Sequence, residues 1–112
     1  MITLSIAKDF SRIPGARFPE EGDYSGQEFR VKYLKPKLQE ALSLNTKLRV
    51  ILDGTAGLGT SFLEESFGGL IRIDGFSYND IMRTIELISE EDDEYIEEIK
   101  EYLLDAHEKN NN

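Results

Sequence analysis

The segment of this chain best equipped for chemistry is Asp53-Gly54-Thr55-Ala56-Gly57-Leu58-Gly59-Thr60-Ser61. Its small residues leave backbone N–H groups open to close approach. A helix starting at Thr60 or Ser61 adds unpaired N–H groups and the positive end of its dipole. An anion or a phosphorylated side chain is stabilised in such a place. The Gly54-x-x-x-x-Gly59 spacing matches a phosphate-binding loop, but Thr60 stands where that loop needs its lysine. Nucleoside triphosphate hydrolysis is therefore not expected. The same residues also suit a tight strand-to-helix connection in which Ser61 is only a cap. Arg12 and Arg17 lie in a long loop expected at the same edge, and their guanidinium forks fit either Asp53 or a bound phosphate. The competing reading makes them surface charges of little energetic weight.

Other chemistry has little to draw on. The chain has no cysteine and one histidine, His107. A thiol nucleophile, a disulfide, a His-based metal centre and a catalytic triad all lack their residues. No nucleophile and base pair stands out, so the expectation is a protein without enzymatic activity and without a cofactor.

Charge is unevenly placed. Residues 1–85 carry 11 acids and 11 bases; residues 86–112 carry 11 acids against Lys100 and Lys109, which supplies the whole net charge of −9. Arg12, Arg17, Arg30, Lys32, Lys35 and Lys37 make a basic stretch in the neutral part. The overall field repels phosphate backbones, so nucleic acid is not an expected partner. The acidic run reads first as a solvated helix face. No apolar run approaches the ~20 residues of a membrane span. The opening MITLSIAKDF lacks a basic leader and a long apolar core, which makes the cytoplasm the expected location.

The elements that must hold these residues follow from periodicity. Ile2 to Ala7 alternates like a strand. Lys8 to Tyr24, with Pro14, Gly15, Pro19 and Gly22, reads as a long loop, with room for a short strand around Arg17. Ser25 and Glu28 form a capping box that starts a helix, along which Val31, Leu34, Leu38, Ala41 and Leu42 share a face. Pro36 is expected to kink or split that helix. Leu48 to Leu52 suits a central strand covered on both faces. Ser61 and Glu64 form a second capping box, and Gly68-Gly69 weakens the helix that follows. Ser77 to Met82 reads as a short helix and Thr84 to Ile88 as a strand. From Glu91 onward an amphipathic helix turns Ile96, Ile99, Tyr102, Leu103 and Ala106 inward. Strands alternating with helices predict one α/β domain over residues 1–108 with parallel pairing, and a frayed tail at 109–112. Right-handed crossovers would then bring the loop after the first strand and the loop after Leu52 to one edge.

Two blocks resemble a known family. The first is Phe10-Ser11-Arg12-Ile13-Pro14-Gly15-Ala16-Arg17 with Gly22-x-x-Ser25-Gly26-x-x-Phe29-Arg30. The second is Leu52-Asp53-Gly54 with the run Thr60 to Leu70, including Phe62, Glu65 and Gly68-Gly69. Together they resemble the bacterial STAS-like domains of unknown function. The resemblance implies a small α/β fold, a mixed sheet of about four strands with helices packed against it. It also implies a regulatory protein that binds a histidine-kinase-like ATPase, as anti-sigma-factor antagonists do. By position Thr60 or Ser61 matches the residue such a partner phosphorylates, which adds roughly two negative charges and breaks the complex. Ser25, Gly26, Arg30, Asp53, Gly54, Gly57, Gly59, Phe62 and Glu65 join Arg12 and Arg17 as candidate partner- or ligand-binding positions. The alternative is an anionic small molecule such as a nucleotide, held by the glycine loop and by Arg12 and Arg17. A third reading makes the acidic C-terminal helix itself the docking element for a basic partner.

Overall fold

Three short segments rich in Ile, Leu and Val pair as strands: β1 (Ile2–Ser5), β2 (Leu48–Ile51) and β3 (Ile85–Ile88). They are seen in a computed structural model that describes residues 1–110. The strand order is β1-β2-β3 and both pairings are parallel, with Ile2 opposite Leu48 and Leu48 opposite Ile85. Helix α1 (residues 26–44) crosses from β1 to β2. Helices α2 (residues 60–72) and α3 (Tyr78–Thr84) cross from β2 to β3, and α4 (Glu94–Asn110) closes the chain. Asn111 and Asn112, the end of the expected tail, lie outside the described residues. Asn110 still belongs to α4, and its side chain donates to the Ile71 carbonyl at 3.2 Å.

Because the strands step in one direction, right-handed crossovers place the helices on a single face of the sheet. The register shows the consequence. Leu4, Leu48 and Val50 share the covered face and are fully buried, whereas Thr3 is exposed and Arg49, Ile51, Glu86 and Ile88 are half-buried on the other face. The β2 strand is thus covered on one face rather than two, and Arg49 meets Glu86 across the open side at 2.9 Å. The core lies between sheet and helices, built from Leu4, Leu48 and Val50 with Leu34, Leu38, Phe62, Phe67, Leu70, Ile81, Ile99 and Leu103.

The sheet has three strands, all parallel, and not the mixed four expected. The stretch around Arg17 forms no strand because its carbonyls serve a helix. Gly26 N–H donates to the Ala16 carbonyl at 2.8 Å and Gln27 N–H to the Arg17 carbonyl at 3.0 Å. These are first-turn amides of α1, which have no partner within the helix. Ser25 completes the start by accepting from Glu28 N–H at 3.1 Å. Pro36 does not split α1. One extra residue is wound into the preceding turn, where Lys35 N–H bonds the Arg30 carbonyl, and the helix continues to Leu44. Such a wide turn relieves the clash a proline ring makes with the carbonyl four residues back. Ser77 caps α3 through Asp80 N–H at 3.0 Å, as its spacing predicts.

Candidate functional site

Parallel strands end at one edge, so the loops after Ser5, Ile51 and Ile88 meet there. Ser5 caps a wide helical turn, Ile6–Phe10, by accepting from Lys8 N–H at 3.1 Å. Asp53 leaves β2 and joins the next loop. Its carboxylate accepts from Glu90 N–H at 2.8 Å and 3.0 Å and from Glu91 N–H at 2.8 Å. Gly54 N–H donates back to Glu91 Oε1 at 2.6 Å, and Gly54 takes a φ of +93°, a conformation that favours glycine. Asp53 therefore clasps two loops together and does not pair with Arg12 or Arg17.

The glycine loop is bonded along its length. Ala56 N–H donates to the Arg12 carbonyl at 2.8 Å and Leu58 N–H to Tyr95 Oη at 3.2 Å. The first of these bonds lays the Arg12 segment on the loop, with Arg12 and Ile13 both exposed. Gly57 and Gly59 are exposed too, and nothing lies within 4 Å of where a Cβ would stand. Helix α2 starts at Thr60 with Gly59 as its N-cap and no side-chain cap. Ser61 is thus the second residue of the helix, not its cap. Glycine leaves the first-turn N–H groups without the side-chain acceptor a serine supplies. Thr60 and Ser61 are both exposed.

One turn further along α2 the chemistry changes. Glu64 pairs with Arg17 and with Arg72, and Glu65 pairs with Arg30. Glu65 also stands 3.6 Å from Arg17 Nη1 and 3.5 Å from Arg72 Nη2. Arg30 donates to the Glu65 carbonyl at 3.0 Å, while its Nε lies 3.1 Å from Asp74 Oδ2, close enough to pair but outside hydrogen-bond geometry. Lys35 approaches the other Asp74 oxygen at 3.6 Å. The Gly68-Gly69 pair makes room for this network. A Cβ on Gly69 would collide with Arg30 Nη1, and one on Gly68 with Glu64 Oε2. The helix-weakening glycines are the floor under two charged groups.

This network ties the long loop to the helices. Arg17 is held on α2, and Phe10 packs against Phe29, Tyr33 and Tyr24 at ring distances of 5.3, 5.3 and 5.7 Å. Several candidate positions serve this framework instead of a surface. Phe62 and Ser25 are fully buried, Arg30 and Glu65 nearly so, and Gly26 is a helix contact where a Cβ would sit 2.7 Å from the Phe62 carbonyl. Arg72, Asp74 and Tyr95 escaped sequence reasoning, while Glu64 entered it only as a capping partner and Phe10 only as part of a resemblance block. Eight residues along an ideal helix would turn Glu64 and Arg72 about 80° apart; they meet across the wide turn Glu64–Gly68. His107 stacks on Tyr78 with ring centres 4.7 Å apart.

The electrostatics of Glu64 can be tested. Burial raises its carboxyl, but hydrogen bonds from Arg72 and Arg17 outweigh burial and hold it below the ordinary value. Glu64 in turn raises the Arg17 guanidinium, against partial burial. A carboxyl depressed by folding adds stability above its unfolded pKa, and loses that contribution as pH falls through the lower folded value. Chemical denaturation of Glu64→Gln against the parent is therefore expected to show a deficit at neutral pH that closes with acidification below the ordinary carboxylate range. A deficit independent of pH would mean that the two arginines do not stabilise the carboxylate.

A family model described as a STAS-like domain of unknown function matches residues 25–95, from the cap of α1 to the first turn of α4. No curated protein and no solved structure matches the chain. No helix among the described residues is long and apolar enough to cross a membrane.

Proposed function

Because the chain belongs to the STAS-like domains of unknown function, we propose that it is a non-enzymatic regulatory module that docks an ATPase or kinase-like protein where α2 begins. The observation that carries this reading is the pair Thr60 and Ser61, exposed in the first turn of a helix whose cap is Gly59. Their hydroxyls have no capping duty, and the first-turn amides favour a phosphate there. Gly57 and Gly59, both exposed, lead into them, on a base held by the Asp53 clasp. A partner covering this face excludes water from the hydroxyls. A phosphate on either one then has to be buried without a matching cation, which costs several kcal/mol and opens the complex. The nucleotide reading is weaker because Arg17, half of its expected clamp, is engaged by Glu64 and Glu65.

The test begins with native mass measurement of the protein purified from its own host. An ATPase-like partner, or a one-phosphate increment mapping to Thr60 or Ser61, supports the proposal. A bare chain carrying a nucleotide moves the assignment to the anion site. With the partner in hand, Ser61→Glu should weaken binding by about tenfold or more, the scale of losing 1.4 kcal/mol, and Ser61→Ala should bind like the parent. Equal binding by all three proteins would end the switch reading.

A further inference from the structure

A parallel sheet is ordinarily covered on both faces, yet the helices of this chain lie on one side only. The open side of β2 and β3 carries two cross-strand pairs, Arg49 opposite Glu86 and Ile51 opposite Ile88. Both isoleucines are half-buried, and the Arg49 and Glu86 side chains are 41% and 40% exposed. The ion pair between them is only partly used. Arg49 donates through Nε to Glu86 Oε1 at 2.9 Å; among the described residues its two Nη groups and Glu86 Oε2 have no hydrogen-bond partner. On β1 Thr3 is exposed, whereas Ser5 is buried, its hydroxyl accepting from Lys8 N–H and its N–H donating to Asp9.

We propose that this face is the contact between two copies of the chain. A two-fold axis parallel to the strands, midway between β2 and β3 and between two facing sheets, exchanges the two strands. It sets Arg49 over Glu86 of the second copy and, by the same register, Ile51 over its Ile88. The open guanidinium fork of each Arg49 then meets the open carboxylate oxygen of the other copy's Glu86, closing a ring of four alternating charges. Facing sheets stand about 10 Å apart, a gap that these long side chains span and the isoleucines fill. Charge decides the occupant. A purely acidic or purely basic partner leaves Glu86 or Arg49 unmatched, and an apolar helix would bury the unused donors and acceptor without partners. A second copy supplies both charges at the required spacing. Helix α4 packs on the covered side, with Ile99 and Leu103 in the core. The acidic helices of the two copies are therefore separated by both sheets, beyond the ~8–10 Å over which charges act at physiological salt. The strands are four residues long and offer less than the ~800 Å² per partner of a standard interface, so the dimer is a weak one. This contact stands or falls independently of the phosphorylation reading.

The test is sedimentation equilibrium of the intact chain over a range of concentrations. The parent should pass from monomer to dimer between about 10 μM and about 1 mM, the range of weak interfaces. Arg49→Glu sets acids against acids and Glu86→Arg sets bases against bases, so each should weaken the dimer about tenfold or more. The exchange Arg49→Glu with Glu86→Arg restores the alternation and should restore the dimer. Circular dichroism checks that each variant is folded. If a single variant does not fold, dilution of the parent decides: the methyl resonances of Ile51 and Ile88 should shift with concentration while that of buried Ile99 stays fixed. A parent that remains monomeric at about 1 mM, single variants that pair like the parent, or an exchanged variant that does not pair would each overturn the proposal. So would a dimer whose concentration-dependent shifts lie away from β2 and β3.

Discussion

Replacing Arg30 by alanine is expected to cost about 3–5 kcal/mol of folding stability, because it leaves a buried carboxylate without its partner. Arg30 is 2% exposed and Glu65 1%. Water cannot solvate Glu65 in place of the guanidinium, and Arg72 and Arg17 stand too far from it, at 3.5 and 3.6 Å, to form strong bonds. Asp74, whose side chain is 6% exposed, would keep only Lys35. The loss is a large fraction of the stability of a small domain, about 5–15 kcal/mol. Denaturant unfolding measures it directly. The double variant Arg30→Met with Glu65→Leu should recover part of the loss, since removing both charges also removes their desolvation cost. A single-variant cost under about 1 kcal/mol, the range of exposed pairs, would mean that the network is open to solvent.

The second large effect belongs to Phe62. Its ring is fully buried, 5.7 Å from Phe29 and 6.2 Å from Phe10, at the junction of α1, α2 and the wide turn after β1. Phe62→Ala should destabilise by about 3–5 kcal/mol through lost burial and the cavity left behind. The measurement that matters is stability together with partner binding. Phe62→Ala should lose binding only to the extent that it unfolds, whereas Ser61→Glu should lose binding with its melting curve unchanged. If Phe62→Ala stays folded and fails to bind, the ring is a contact residue and its buried position in the core is wrong.

These two residues show where sequence reasoning stops. Helical spacing puts Phe62, Leu63, Ser66, Phe67 and Leu70 on one face, and all five are buried, yet nothing local says that Glu65 turns inward as well. The answer depends on α1. Arg30 reaches Glu65 across 35 positions and Arg17 reaches Glu64 across 47. Gly68 and Gly69 look like helix breakers until the Arg30 guanidinium and the Glu64 carboxylate are seen over them. Asp53 looks like an acid facing arginines until its acceptors are found filled by the amides of Glu90 and Glu91.

What the amino-acid sequence determined by itself is the local structure, because its causes act over a few residues. Ser25 and Ser77 start helices by reaching N–H groups three residues on. Leu48 to Ile51 is a strand, and the α4 periodicity turns Ile99, Leu103 and Ala106 inward. The alternation of strands and helices also favours parallel pairing, since a helical crossover returns the chain to the end of the sheet where it started. Only the tertiary structure decided the number of strands, the cap of α2 and the pairing of the charges. The Arg17 segment did not become a strand because its carbonyls were needed by the orphan amides of α1, and Gly59 rather than Ser61 became the cap because the loop before it is drawn in by Arg12, Tyr95 and Glu91. Each of these outcomes is a competition for a hydrogen-bond or ion-pair partner distant in the chain, and the winner is settled only when the elements are packed together.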